Sequence, residues 1–328
     1  MAVINTKKTI LLLGISSFVG SNLAEFLKKD YRIIGTYFEN PVTIPGVLSI
    51  KCNILEKDAL QYLIYNFVPE IIIYCVGISS LVDSIKDEKY TEVINTGAIF
   101  NVTNISERIK AKFCLISSSY VFSGVGKEFT ENDTPDPRTV YGKSKTGAEF
   151  FVQKSCLNYV IFRCCQLYGR SYNHKTFNWF ETVQSCMSAR KIVNCDSNIL
   201  HGFVDVLYLA MIIKMCLEKD VINRLFHISS EDTMSYYEFA LKYCEVFGED
   251  SSFLQKGNWN FPIIKNELSY EYLNEKKNFQ LKVVNIENFL NIKLPSIQES
   301  LQFTFKRMGG DKKLTKRRTR SGGHANYI

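Results

Sequence analysis

The sequence lacks several features, and each absence removes a class of protein. No stretch approaches the roughly 18 consecutive apolar residues of a membrane-spanning helix. There is no CxxC spacing and no clustering of cysteine with histidine, so no zinc or other metal site is expected. No internal repeat stands out. Outside its C-terminal end the chain also lacks net charge. From residue 305 onward there are eight Lys or Arg and one Asp, which account for the whole formal charge of +7. Residues 1–304 are therefore formally neutral. The basic segment is Gly-rich and almost without aliphatic periodicity, so it reads as a disordered tail, 305–328. Contact with nucleic acid through it is the minor reading, beside a partner, an anionic surface or a solubilising role.

What is present fits a folded enzyme-sized body. The chain has 328 residues, 46% of them hydrophobic, enough for one large domain or two modest ones. The ten cysteines fall largely inside apolar runs and read as reduced, buried thiols of a cytoplasmic protein. The opening MAVINTKKTILLLG superficially imitates a secretion signal. Its glycine and the helix pattern that follows fit a first strand and turn better.

Strands and helices alternate along the first half. Residues 9–13, 31–37, 47–53, 70–75 and 112–116 read as strands, with helices expected over 57–66 and 87–102. The strands are continuously apolar, which favours a doubly wound parallel sheet covered on both faces. In such a sheet the ligand lies beyond the C-terminal strand ends. Gly14, Gly77 and Ser118 all fall there.

The first turn, GISSFVG, spaces Gly14 and Gly20 as the outer glycines of a phosphate-binding turn, with Ser17 between them. Phe18, Val19 and Gly20 open the following helix, where a phosphate would rest. At the end of the second strand Thr36 and Tyr37 stand where an acidic residue would select a free ribose 2'-hydroxyl. Glu39 comes late and Arg32 is no clear clamp, so NADPH is expected in preference to NADH. Asn53 is expected near the adenine and Gly77 near the cofactor. Asn95, in the 87–102 helix, reads as a core polar residue tying strands together.

The most informative stretch runs from SSSYVFSG to YGKSKTGAEF. Tyr141 and Lys145 are four residues apart at the start of an expected helix reaching about residue 155, and so share one face. An ammonium near a phenol is expected to lower its pKa from about 10. Such a pair moves a proton to or from a carbinol oxygen while a hydride moves at its carbon. Ser118 would hold the same oxygen. Downstream, 159–165 and 224–228 read as strands and 235–247 as a helix. Arg163 requires a partner, by ion pair or by substrate. Asn173, His174, Lys175, Asn178 and Trp179 lie near a loop that begins a smaller substrate-binding portion, and Trp259, Phe261 and Pro262 read as an aromatic lid or a core corner.

GISSFVG, ISSSYVFSG, TENDTPDP, YGKSKTGAE, FRCCQLYG and FHISSEDTMSYYEFA together resemble the extended short-chain dehydrogenase/reductase superfamily, and within it the dTDP-4-dehydrorhamnose reductase family. The resemblance implies an α/β fold with a Rossmann-type NAD(P)-binding portion (1–170) and a smaller C-terminal substrate-binding portion (171–304), some of whose elements return to the core. It implies reduction of the 4-keto group of a nucleotide-linked deoxy sugar. Ser118, Tyr141 and Lys145 match the catalytic positions, with Lys145 also on the nicotinamide ribose. Asn95 matches a structural asparagine of the superfamily. Ser119, Tyr141, Asn178 and Trp179 are the expected substrate contacts. The sequence departs from the family at Ser17, Ser119 and Gly77. Serine and tyrosine after Ser118 disfavour 4,6-dehydratase chemistry, which uses an Asp-Glu pair there. The expected partners are the nucleotide sugar and, as a possible assembly, a second copy of the chain. The alternatives are a nucleotide-sugar epimerase, or a non-catalytic regulatory subunit of the kind that the methionine adenosyltransferase beta subunit represents.

Overall fold

Residues 9–13, TILLL, are apolar throughout and all five are buried. In the computed structural model, which describes residues 7–126, 128–172, 178–257 and 275–310, this segment is the central strand β1 (Thr9–Leu13). The seven-stranded sheet is completed by β2 (Arg32–Tyr37), β3 (Leu48–Lys51), β4 (Ile71–Tyr74), β5 (Lys112–Ser118), β6 (Tyr159–Cys164) and β11 (Arg224–Ile228). Its order is β3-β2-β1-β4-β5-β6-β11, and every pairing is parallel. The order reverses between β1 and β4. The connections that leave the C-terminal ends of these two strands run in opposite directions and leave a crevice between them.

Alternate residues of β1 feed two cores. Ile10 and Leu12 pack with Leu23 and Leu27 of α1 (Phe18–Leu27) and with Leu209 and Ile213 of α8 (Val206–Glu218). Leu11 and Leu13 pack on the other face with α2 (Lys57–Phe67), α5 (Ala98–Ile109) and α6 (Val140–Ser155). Burial on both faces accounts for the continuous apolar runs.

The helix expected over 87–102 is present as a continuous helical run, 88–109, with a π turn inside it. Short helices α3 (Leu81–Lys86) and α4 (Glu88–Glu92) lead into a π-helical turn, Val93–Gly97, and then α5. The π turn carries Asn95 inward. Its amide accepts from Ile78 N at 2.8 Å and donates to Ile78 O at 3.0 Å and Ser144 Oγ at 2.9 Å. Asn95 thus ties the loop after β4 to α6, rather than strand to strand.

Arg163 of β6 finds its counter-ion in Glu149 of α6, with contacts of 2.8–3.1 Å, and Ser117 also donates to that carboxylate. Both charges are buried, so Arg163 belongs to the core and does not face a substrate.

The C-terminal portion has its own core, in which Tyr168 of β7 (Gln166–Tyr168), Phe180 of α7 (Trp179–Ser188) and Phe239 and Tyr243 of α9 (Tyr236–Phe247) meet Leu301 of the last helix. Small strands β8 (Val193–Cys195), β9 (Ile199–His201), β10 (Phe203–Asp205), β12 (Met234–Ser235), β13 (Leu254–Lys256) and β14 (Lys277–Asn278) edge it. Helix α8, β11 and α10 (Val284–Leu290) return to the main sheet. The last helix, α11 (Ile297–Arg307), takes in Phe305, Lys306 and Arg307, which the sequence reading assigned to the tail. Phe305 packs edge-on against Phe247, and Arg307 donates to the fully buried Asp205 at 2.7 Å. Residues 311–328, 173–177 and 258–274 lie outside the described residues, and with them Asn173, His174, Lys175, Trp259, Phe261, Pro262 and most of the basic segment. No helix among the described residues is long and apolar enough to cross a membrane.

Candidate active site

The site is built around the turn between β1 and α1. Gly14 has φ +90°, and a Cβ there would stand 2.9 Å from the Cys75 carbonyl carbon. Ser17 caps α1: its hydroxyl accepts from Gly20 N at 3.0 Å and donates to Gly14 O at 2.8 Å. A Cβ on Gly20 would come within 2.2 Å of Gly14 O, so the helix can approach the turn only with glycine there. Ser17 itself has φ −69°, which any residue adopts, so the missing middle glycine costs the turn nothing. Phe18 and Val19 are the first residues of α1, with N–H groups that have no partner within the helix. No acidic side chain sits in that first turn.

Around this turn the expected cofactor residues divide. Thr36 is buried; its carbonyl accepts from Ile15 N at 2.8 Å and its hydroxyl from Gly14 N at 3.3 Å. It braces the turn from behind. Tyr37 is half-buried at the C-terminal end of β2. Arg32 begins β2 and is exposed at the opposite end of the strand, away from the crevice. Asn53 closes a turn into α2, accepting from Leu55 N at 3.1 Å and donating to Glu56 at 3.3 Å. Gly77 has φ +153°, and a Cβ would meet Asn95 Oδ1 at 2.8 Å.

The expected proton-transfer residues converge beside this turn. Ser118 is the last residue of β5, which runs two residues beyond the expected strand. Thr139 caps α6, accepting from Gly142 N at 2.9 Å, and puts Tyr141 and Lys145 in its first two turns. The Ser118 hydroxyl stands close enough to the Tyr141 phenol to lower its pKa. Lys145 Nζ lies 6.0 Å from the Tyr141 ring centroid and donates to Ile116 O at 2.8 Å.

The electrostatics differ from expectation. Burial pushes the Tyr141 phenol up to about 12, against a smaller lowering by the Ser118 hydroxyl. Burial also lowers Lys145. Desolvation of the phenol outweighs the pull of the Lys145 ammonium, which is aimed at the strand carbonyl. A phenol of this kind keeps its proton at neutral pH and is ready to donate it.

The expected substrate residues fare differently. Tyr141 stays at the site. Ser119 is wholly buried, and its hydroxyl has no hydrogen-bond partner among the described residues. Asn178 is the N-cap of α7: it accepts from Glu181 N at 3.0 Å and donates to Gly169 O at 2.9 Å. Its amide is taken up by the cap and is not presented to a ligand. Trp179 packs edge-on against Tyr168, Phe203, Tyr236 and Phe239 within the C-terminal core. In a sequence, a cap and a polar contact look alike, as do a core tryptophan and a stacking one.

Three residues of the site were not anticipated. Tyr120, buried, packs edge-on against Tyr141 with ring centroids 6.0 Å apart. His201 of β9 and Phe279 pack against Tyr120 from the C-terminal portion, at 5.5 Å and 4.7 Å. Tyr120 lay in plain view in SSSYVF. His201 and Phe279 carried no sequence signal, since their contacts are long-range.

The comparisons with known proteins agree with this geometry. The RmlD substrate binding domain family matches residues 8–309. The methionine adenosyltransferase 2 subunit beta of Rattus norvegicus is 27% identical over 255 residues, covering 76% of this chain and 75% of that protein. A solved dTDP-4-dehydrorhamnose reductase from Bacillus anthracis, in complex with NADP, superposes with a TM-score of 0.76 at 21% identity, covering 92% of this chain and all of that one. The UDP-glucose 4-epimerase of Thermotoga maritima, with UDP-glucose, gives a TM-score of 0.77 at 17% identity, over 93% of this chain and 99% of that one. The last two likenesses concern the fold. With the family matching nearly the whole described body, the chain belongs to the RmlD substrate binding domain family, within the extended short-chain dehydrogenase/reductase superfamily.

Proposed function

We propose that the protein reduces the 4-keto group of a nucleotide-linked deoxy sugar, with NADPH preferred to NADH. The observation that carries this reading is the convergence of Ser118, Tyr141 and Lys145 on the crevice that begins at the Gly14–Gly20 turn. A dinucleotide diphosphate fits that turn. Side chains at Gly14 and Gly20 would collide with the backbone of Cys75 and of Gly14, so only glycine keeps the turn this tight; the first N–H groups of α1 have no helical partner, and no carboxylate stands in its first turn. A bound dihydronicotinamide would supply the hydride. Tyr141 donates the proton to the carbonyl oxygen as the new C–H bond forms. Ser118 holds the same oxygen by a hydrogen bond. Lys145, fixed by Ile116 O, keeps a positive charge close to the phenol and favours the phenolate left after transfer. The preference for NADPH rests on the neutral Thr36–Tyr37 end of β2.

The test is oxidation of NADPH, with NADH beside it, when the purified protein is given dTDP- or UDP-linked 4-keto-6-deoxy sugars. Turnover that Tyr141→Phe abolishes while leaving dinucleotide binding intact supports the reading. Unchanged turnover in that variant refutes the assignment of Tyr141.

The likeness to methionine adenosyltransferase 2 subunit beta favours a second reading, a regulatory subunit that keeps the reductase fold. Dinucleotide binding without turnover of any sugar nucleotide, together with stable copurification with a catalytic partner, would select it. An epimerase would interconvert sugars with no net oxidation of NADPH.

A further inference from the structure

Tyr120 touches every part of the proton-transfer set except the lysine. Its backbone N–H donates to Ser118 Oγ at 3.2 Å. Its ring packs edge-on against Tyr141. Its carbonyl oxygen would stand 2.1 Å from a Cβ on Gly142, so helix α6 is seated directly on this residue. The Tyr120 phenol, in turn, lies 3.4 Å from Nε2 of His201, which belongs to β9 in the C-terminal portion.

His201 is a histidine in an unusual position. It is fully buried, and Nδ1 has no hydrogen-bond partner among the described residues. Burial holds it far below the usual imidazole range, at about 3, so the ring is neutral. It stacks on Phe279, with centroids 4.9 Å apart and planes 7° apart. A neutral imidazole buried with one nitrogen unpaired is less favourable than an apolar ring of the same shape. Stability alone does not account for it, whereas its contact with the Tyr120 phenol does give it a role.

We propose that His201 is a positioning residue that acts through Tyr120. It fixes the Tyr120 phenol, and the Tyr120 ring and backbone fix Tyr141 and Ser118. The pair also joins the two portions of the molecule at the reacting group, since Tyr120 follows β5 and His201 sits on β9. A displacement of β9 by a ligand in the C-terminal portion is thereby passed to the proton donor. This inference rests on the reductase reading for its kinetic consequence, but not for its structural one.

The test uses His201→Phe, which keeps the ring stack, Tyr120→Phe, which keeps the aromatic edge, and their double variant, all in the full chain. Each single change is expected to lower kcat on the order of ten- to a hundredfold with dinucleotide affinity unchanged, as for a misplaced catalytic group. The double variant should lose no more than the worse single one. His201→Gln, whose amide reaches the Nε2 position, should recover part of the loss. Additive losses, or wild-type kcat in His201→Phe, overturn the proposal. A fluorine label on the Tyr141 ring gives a readout independent of turnover. Its 19F resonance should shift in both single variants, and an unchanged resonance overturns the coupling even if the wild type turns over no sugar. Absence of wild-type turnover with a shifted resonance instead counts against the reductase reading alone.

Discussion

Lys145 donates to the carbonyl oxygen of Ile116 at 2.8 Å, and so is tied to the strand that two residues later delivers Ser118. The ammonium is buried and held below its usual lysine range by that burial. The tie fixes the spacing of Lys145, Ser118 and Tyr141, at the cost of a cation kept from water.

Lys145→Met should therefore separate stability from turnover. Exchanging a buried charge for an apolar chain of similar length is expected to be neutral or to stabilise by about 1 kcal/mol. Turnover should fall at least about a hundredfold. Urea unfolding and NADPH oxidation check the two halves. A stability loss above about 2 kcal/mol would make the ammonium a structural group.

The phenol makes a prediction about alkaline pH. Tyr141 titrates near 12 when folded and near 10 when unfolded. A raised folded pKa contributes stability that is complete below about pH 10 and is lost as pH rises towards 12. Tyr141→Phe lacks this term. The wild type should lose about 2–3 kcal/mol relative to the variant between about pH 9.5 and 12. The other buried tyrosines cancel in that difference. Parallel unfolding curves across the range would mean that the phenol is not desolvated.

Glu149→Ala should destabilise the body by about 3–5 kcal/mol, since it leaves Arg163 charged and buried without its counter-ion. Equilibrium denaturation measures this directly. Were the loss under about 1 kcal/mol, water would have to reach Arg163.

Two C-terminal truncations should behave differently. Ending the chain after Gly310 keeps the Arg307–Asp205 pair, and the melting temperature should stay within a degree or so. Ending it after Thr304 removes Arg307 and Phe305 and leaves Asp205 fully buried with its hydroxyl and amide partners only. A loss of roughly 2–4 kcal/mol is expected, read from thermal unfolding. Equal stability of the two truncations would place the folded boundary before residue 305.

Much of the site could be read in the sequence because it is local. Gly14, Ser17 and Gly20 lie within one turn, and Tyr141 and Lys145 within one helical face. The apolar strand before Ser118 could be seen directly. What stayed hidden depends on depth and distance. The sign of the Tyr141 shift is set by burial, which the four-residue spacing does not encode. Arg163 visibly needed a partner, yet Glu149 became its partner only when α6 packed on β6. Asn178 and Trp179 read as contacts because a polar and an aromatic residue near a loop have the same sequence signature as a cap and a core ring. His201 could not be connected to Tyr120, 81 residues earlier, before the two portions came together.

The π turn at Val93–Gly97 also constrains how the chain can vary. One extra residue in a helix rotates everything after it by about 100°. Ile99, Val102 and Ile105 face the sheet only because that rotation has been made. Deleting a single residue between 93 and 97 would restore regular helical hydrogen bonding while turning this apolar stripe towards water and withdrawing Asn95 from Ile78 and Ser144. Small insertions and deletions at this turn are therefore barred by packing as well as by chemistry, and descendants of the chain can vary its composition more readily than its length.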